Sequence, residues 1–149
     1  MQENQSYNNC KGIVRGLHFQ KPPFAETKLV RVLQGAVFDV FVDLRTDSET
    51  YGQWDAVELS AENHRMVYIP KGFAHGYCTL TDESLVLYKV DACYAPAAEG
   101  GVRWDDGSLN IPWPVREPLV SAKDRVLPSL RGLMSPFHST AILAGETLP

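Results

Sequence analysis

From residue 12 to residue 91 the chain is a succession of short apolar runs that alternate with a period of two, each closed by a turn signal. The first predicted strand covers about 12–19. Lys21-Pro22-Pro23 ends it, because proline fixes φ and lacks an amide donor. A longer strand runs from about Glu26 to Leu33 and turns at Gln34-Gly35. Ala36–Leu44 (Ala-Val-Phe-Asp-Val-Phe-Val-Asp-Leu) alternates and is rich in β-branched and aromatic residues. Asp39 and Asp43 share a side with Val37 and Phe41, so one face of that strand is mixed. Further strands are predicted at Gln53–Leu59, at Arg65–Ile69 (stopped by Pro70), at Phe73–Leu80 and at Ser84–Asp91. The last two form a hairpin through Thr81-Asp82-Glu83.

The flanks differ. Residues 1–11 are polar and predict an extended lead-in with little core of its own. After Tyr94, Ala95-Pro96, Glu99-Gly100-Gly101 and Asp105-Asp106-Gly107 signal loops. Ile111-Pro112-Trp113-Pro114 is excluded from a central strand, since its prolines remove ladder donors. Residues 121–149 predict an irregular tail with one short helical turn near Ser129–Met134 and a frayed final ten residues. Short strands, evenly spaced turns and no long amphipathic helix predict an all-β antiparallel sandwich or barrel.

Composition narrows the function more than the fold. At 149 residues the chain has the length of one domain with room for a core. A net charge of −4 lacks the footprint of a nucleic-acid binder, though a local basic pocket is compatible with it. No apolar run is long enough to span a bilayer. The polar stretch Met1–Lys11 does not look like a signal peptide. Cys10, Cys78 and Cys93 form neither a disulfide framework nor a zinc pattern. They are expected to be small buried or half-buried hydrophobes in a reducing, cytoplasmic setting.

The chemistry is expected around Gly12–Gln20. Arg15 and His18 lie an odd number apart, so a regular strand would send them to opposite faces. Either the backbone bulges at Gly16, or one of the two faces away. Lys28 faces solvent or the lumen of the sandwich. A His, an Arg and a Lys on one concave surface would suit an anionic, carbonyl-bearing substrate. His64 and His138 are read as surface residues. His75 ends a Pro70-x-Gly72-x-x-His75 pattern that resembles the second motif of cupin barrels. Metal-binding cupins also need a paired His-x-His. Here Gly16 stands two residues before His18 and Gln20 two after, so no metal is expected. Taken singly, Tyr94 reads equally as a core residue with a satisfied hydroxyl, and Asp124 as a helix-terminus carboxylate.

Several ordered motifs together carry a resemblance. They are Arg15-Gly-Leu-His18-Phe-Gln20, Lys28-Leu-Val-Arg-Val, Val42-Asp-Leu-Arg45, Tyr68-Ile-Pro-Lys-Gly-Phe-Ala-His75-Gly76, Tyr88-Lys89, Tyr94-Ala-Pro96, Trp104-Asp-Asp106 and Ile111-Pro-Trp-Pro114. From Gln2 to about Leu130 the chain resembles the dTDP-4-dehydrorhamnose 3,5-epimerase family. The resemblance implies a cupin-type antiparallel β jelly roll (a double-stranded β-helix), without metal or cofactor, and a homodimer. It implies that His18 is the catalytic base and Asp124 the carboxylate that orients it. Tyr94 would be the acid on the opposite face of the sugar, and Lys28 the cation near the keto oxygen. Arg15, His75 and Gln20 would belong to the substrate pocket, Glu99 to its nucleotide side, and Gln2 and Asn4 to a motif lining it. Family members usually carry a further segment before the position of Gln2, which reaches the neighbouring subunit's nucleotide. The tail from Arg131 runs beyond the matched part.

The implied substrate is a dTDP-linked 4-keto-6-deoxyhexose. Its ketone acidifies the hydrogens on carbons 3 and 5, and an imidazole with a reference pKa of ~6.5 can remove one at neutral pH. A cation or hydrogen bond at the enolate oxygen is typically worth ~3–4 kcal/mol of barrier. The alternatives are inversion at a single carbon or on another nucleotide and, in another class, a non-catalytic sugar-nucleotide binder.

Overall fold

The computed structural model describes residues 1–139. In chain order its strands are β1 (Gln2–Asn8), β2 (Ile13–Gln20), β3 (Lys28–Gln34), β4 (Ala36–Asp43), β5 (Trp54–Ser60), β6 (Met66–Ile69), β7 (Phe73–Thr79), β8 (Ser84–Val90), β9 (Glu99–Gly101) and β10 (Leu119–Val120). One short helix, α1 (Ala122–Arg125), and two 3-10 turns, Pro96–Ala98 and Leu130–Gly132, complete the described chain.

The strand order explains the architecture. One sheet runs β1-β8-β3-β6; the other runs β10-β2-β7-β4-β5, with β9 also on β2. β4 and β5 form a hairpin, and β3 with β6, β2 with β7 and β1 with β8 pair successively outward from it. This is one long hairpin rolled into two facing sheets, a jelly roll. All the ladders are antiparallel except the two-residue β10–β2 contact.

Alternation sorts the side chains into two cores. Val30, Val32, Val37, Leu59, Ile69, Tyr77 and Val86 pack between the sheets. The opposite parity of β4 and β7 (Val40, Val42 and Ala74) packs outward with Leu17 and Phe19. That outer face would meet water, but the C-terminal segment covers it with Val102, Leu109, Ile111 and Phe137. Asp106 ties the segment down, accepting from the amides of Ser108 at 2.8 Å and Leu130 at 2.8 Å. The Trp54 indole donates to the Leu109 carbonyl at 2.8 Å. Burying Phe137 contributes ~2–3 kcal/mol.

Three expectations need correction. The polar lead-in is the full strand β1, paired with β8 along its length. Its even residues face the space between the sheets and its odd ones face solvent, so neither face required hydrophobic residues. Between Tyr94 and Val120, β9 and β10 appear where only loops were expected, and α1 precedes the expected turn, itself present as Leu130–Gly132. Cys93 is exposed, because it follows the end of β8 in an open segment. Cys10 is half-buried, Cys78 is buried, and all three are free thiols. His64 and His138 are exposed as expected. The final ten residues lie outside the described part. Among the described residues no helix is long and apolar enough to cross a membrane.

Candidate active site

The site begins with a local irregularity in β2. Arg15 pairs with Tyr77 and His18 with His75, so three steps on β2 span two on β7. The extra residue is a bulge. Gly16 sits in it with φ +112°, and a Cβ there would stand 2.7 Å from the Gly76 Cα and 2.8 Å from the His75 carbonyl. Only glycine fits. The bulge corrects the parity, and Arg15 and His18 both line one cavity of about 450 Å³ between the sheets.

The helix α1 supplies the partner for His18. Ser121 caps it, accepting the Asp124 amide at 3.1 Å. This leaves the Asp124 carboxylate for other work. Asp124 Oδ1 lies 2.7 Å from His18 Nε2, and Oδ2 accepts from the Gly16 amide at 3.1 Å. Burial pushes the Asp124 carboxyl up. The bond to His18, its charge and the Gly16 amide outweigh this and hold the group below the usual carboxylate range. A neutral His18 donating from Nε2 has its lone pair on Nδ1.

The other walls follow from strand parity. His75 Nε2 lies 2.9 Å from Asp39 Oδ2, with both side chains buried. Lys28, on the inner face of β3, lies 3.3 Å from Glu26. Arg15 Nε donates to Asn8 Oδ1 at 2.8 Å. Tyr94 is 55 % exposed, and its hydroxyl donates to Glu99 Oε2 at 2.9 Å. Lys123 donates to the other Glu99 oxygen. Glu99's bond and charge raise the Tyr94 hydroxyl. Burial pushes Glu99 up, but its bonds to Lys123 and Tyr94 prevail and lower it.

Every residue singled out from the sequence lines this cavity: Gln2, Asn4, Arg15, His18, Gln20, Lys28, His75, Tyr94, Glu99 and Asp124. The wall also contains Ser6, Glu26, Tyr77, Tyr88 and Lys123, which sequence reasoning did not select. Parity could have found several. Ser6 continues the series from Gln2 and Asn4, Tyr77 follows His75 by two, and Glu26 precedes Lys28 by two. Among the described residues, no three His, Cys, Asp or Glu side chains converge as a metal site requires.

Residues 1–132 match the family model for dTDP-4-dehydrorhamnose 3,5-epimerase. The chain belongs to this family. It is 52 % identical over 124 residues to the dTDP-4-dehydrorhamnose 3,5-epimerase of Shigella flexneri, covering 83 % of this chain and 68 % of that one. The crystal structure of the Bacillus anthracis enzyme with TDP and PPi bound superposes with a TM-score of 0.86 at 55 % identity, covering 87 % of this chain and 74 % of that one. The Legionella pneumophila epimerase, in complex with dTDP-4-keto-L-rhamnose, superposes at 0.84 with 44 % identity, covering 88 % and 69 %. The jelly roll is that of the 3,5-epimerase family.

Proposed function

We propose that the protein is an isomerase that inverts carbons 3 and 5 of dTDP-4-dehydro-6-deoxy-D-glucose, giving dTDP-4-dehydro-L-rhamnose. Membership of the 3,5-epimerase family supports the reaction. The observation that carries the chemistry is the hydrogen-bonded His18–Asp124 pair, in one cavity with Lys28 and Tyr94.

His18 takes the proton from a carbon beside the ketone through Nδ1. Asp124 holds the tautomer and stabilises the imidazolium that forms. The C–H electron pair moves into an enolate, whose oxygen is met by the Lys28 ammonium. Tyr94 turns its hydroxyl from Glu99 to the sugar and delivers a proton to the opposite face. The carbon is inverted, His18 gives its proton to water, and the exposed phenolate regains one. Arg15 offers positive charge to the diphosphate, and His75 a polar wall to the sugar. No change of oxidation state occurs overall, so these steps call for no cofactor.

Incubation with the dTDP-4-keto sugar in deuterium oxide tests this. Deuterium at both carbon 3 and carbon 5 is the expected NMR result. Label at one carbon would identify a mono-epimerase. A folded protein that introduces no label is not this enzyme.

We also infer a homodimer in a cytoplasmic setting. The outer face of the four-stranded sheet exposes Tyr7, Leu29, Met66 and Tyr68, and Leu29 pairs directly with Tyr68. Apolar side chains exposed on this one sheet face support a second copy as their cover. The free cysteines support a reducing compartment. A monomeric mass in light scattering would overturn the dimer.

A further inference from the structure

Building on the epimerase reading, we propose that Gln20, assisted by Gln2, is a positioning residue that holds Tyr94 over the cavity, its amide committed to the protein and not to the substrate. Tyr94 lies between the end of β8 at Val90 and the 3-10 turn that starts at Pro96, outside any strand. A tyrosine more than half exposed on an open segment would sample many positions. Its backbone is instead gripped on both sides. The Tyr94 amide donates to Gln2 Oε1 at 3.1 Å, and the next amide, Ala95, donates to Gln20 Oε1 at 2.6 Å. The preceding carbonyl, Cys93, accepts from Gln20 Nε2 at 3.3 Å. One side-chain amide therefore closes around the tyrosine from both flanks.

Both donors of that amide are committed to the protein, and its oxygen already holds the Ala95 amide. Gln20 is 3 % exposed, and Nε2 also reaches the Phe24 carbonyl and Glu26 Oε2, each at 3.1 Å. Two N–H bonds already serve three acceptors. Gln2 uses its own Nε2 on Asn4 at 2.7 Å. Glu26 in turn pairs with Lys28 through its other oxygen. Gln20 thereby connects the backbone of the acid to the cation at the enolate oxygen.

The chemistry needs such a clamp. An enolate can regain a proton from the face it lost it on, by way of His18, or from the opposite face, by way of Tyr94. The first restores the starting sugar, labelled if the solvent is deuterium oxide. Only the second inverts. Displacing the phenol by ~1 Å can slow its transfer by about 10²-fold without touching proton removal.

The test uses the full chain and Gln20→Met, which keeps length and volume but loses the hydrogen bonds. Deuterium should enter the starting sugar within about threefold of the wild-type rate, while inverted product forms at least ~tenfold more slowly. Mass-spectrometric amide exchange should quicken at Ala95 and leave β4 and β7 unchanged. Gln2→Met, at a half-buried edge position, should shift both readouts in the same direction by less. A raised KM with an unchanged ratio of exchange to inversion would make Gln20 a substrate ligand and overturn the proposal. Exchange and inversion falling together would overturn it as well. A folded wild type that exchanges nothing sinks the epimerase reading instead. The clamp then stands or falls on Ala95, since unchanged protection in Gln20→Met defeats it independently of any substrate.

Discussion

Two histidine–aspartate pairs meet at this cavity, whose wall holds His18, Asp124 and His75, with Asp39 buried behind His75. His18 and His75 are cross-strand neighbours on β2 and β7, and each meets a carboxylate through Nε2, at 2.7 and 2.9 Å. The difference is access. The His18 side chain is 28 % exposed against 8 % for His75. Asp124 has both oxygens engaged, whereas Asp39 is wholly buried and its Oδ1 has no partner among the described residues. A general base must pass its proton to solvent, which the first pair allows. The second pair is enclosed by packing, so it is tied more closely to stability. Identical pair chemistry is thus assigned different work by its surroundings.

The largest predicted effects set the pairs against each other. His18→Asn should lower kcat by ~10²–10⁴-fold and cost less stability than His75→Asn, because Asp124 keeps its bond from the Gly16 amide. His75→Asn takes from buried Asp39 its bond to the imidazole and should cost ~1–3 kcal/mol in a denaturant titration. Equal destabilisation by the two variants would abolish the distinction.

Gly16→Ala attacks the geometry both pairs share. A Cβ 2.7 Å from the Gly76 Cα, at positive φ, should cost ~1–3 kcal/mol and move Arg15 or His18 out of register. Turnover and chemical stability, measured together, report both effects. Wild-type values in both would remove the bulge from the argument.

A carboxylate outside the cavity provides the reference. Burial pushes Asp43 up, but Arg45, Ser48 and Thr50 overcome it and bring it down to about 2. The folded value lies below the unfolded one. The stabilisation is therefore complete above pH ~4 and fades as pH falls toward ~2. Asp43→Asn should remove ~1–2 kcal/mol of stability at neutral pH, allowing for solvent at Arg45, and flatten the acid limb of unfolding. An acid limb identical to wild type would contradict this.

The smallest effect concerns Tyr94, the proton carrier proposed for the opposite face. Glu99 raises the Tyr94 hydroxyl, so the phenol keeps its proton to higher pH. Glu99→Gln removes that influence, and the alkaline limb of the kcat/KM profile, which reports the free enzyme, should move to lower pH. A limb that stays in place would mean another group controls it.

Period-two alternation located β2 to β8 within a residue or two, because one face of each strand packs into a core. It missed β1 for the same reason. Gln2, Asn4 and Ser6 face a polar cavity, so the strand has no apolar face to reveal. β9 and β10 escaped because three and two residues are too short for a pattern. Asp39 looked like one more polar residue on a mixed face. Nothing local marks it as the partner of His75, 36 residues away. Gln20 was legible as a residue of the site, but its engagement with the Tyr94 segment, 73 residues on, was not.

The amino-acid sequence by itself determined the β class, the strand boundaries and the types of side chain available, since alternation and turn chemistry are local. It also left two possibilities for Arg15 and His18. Tertiary structure decided between them, because a bulge is defined only against the neighbouring strand. It also paired His18 with a carboxylate 106 positions away and closed two glutamines on Tyr94. Those contacts depend on how the hairpin rolls up, and a rolled sheet brings together residues that no local period relates.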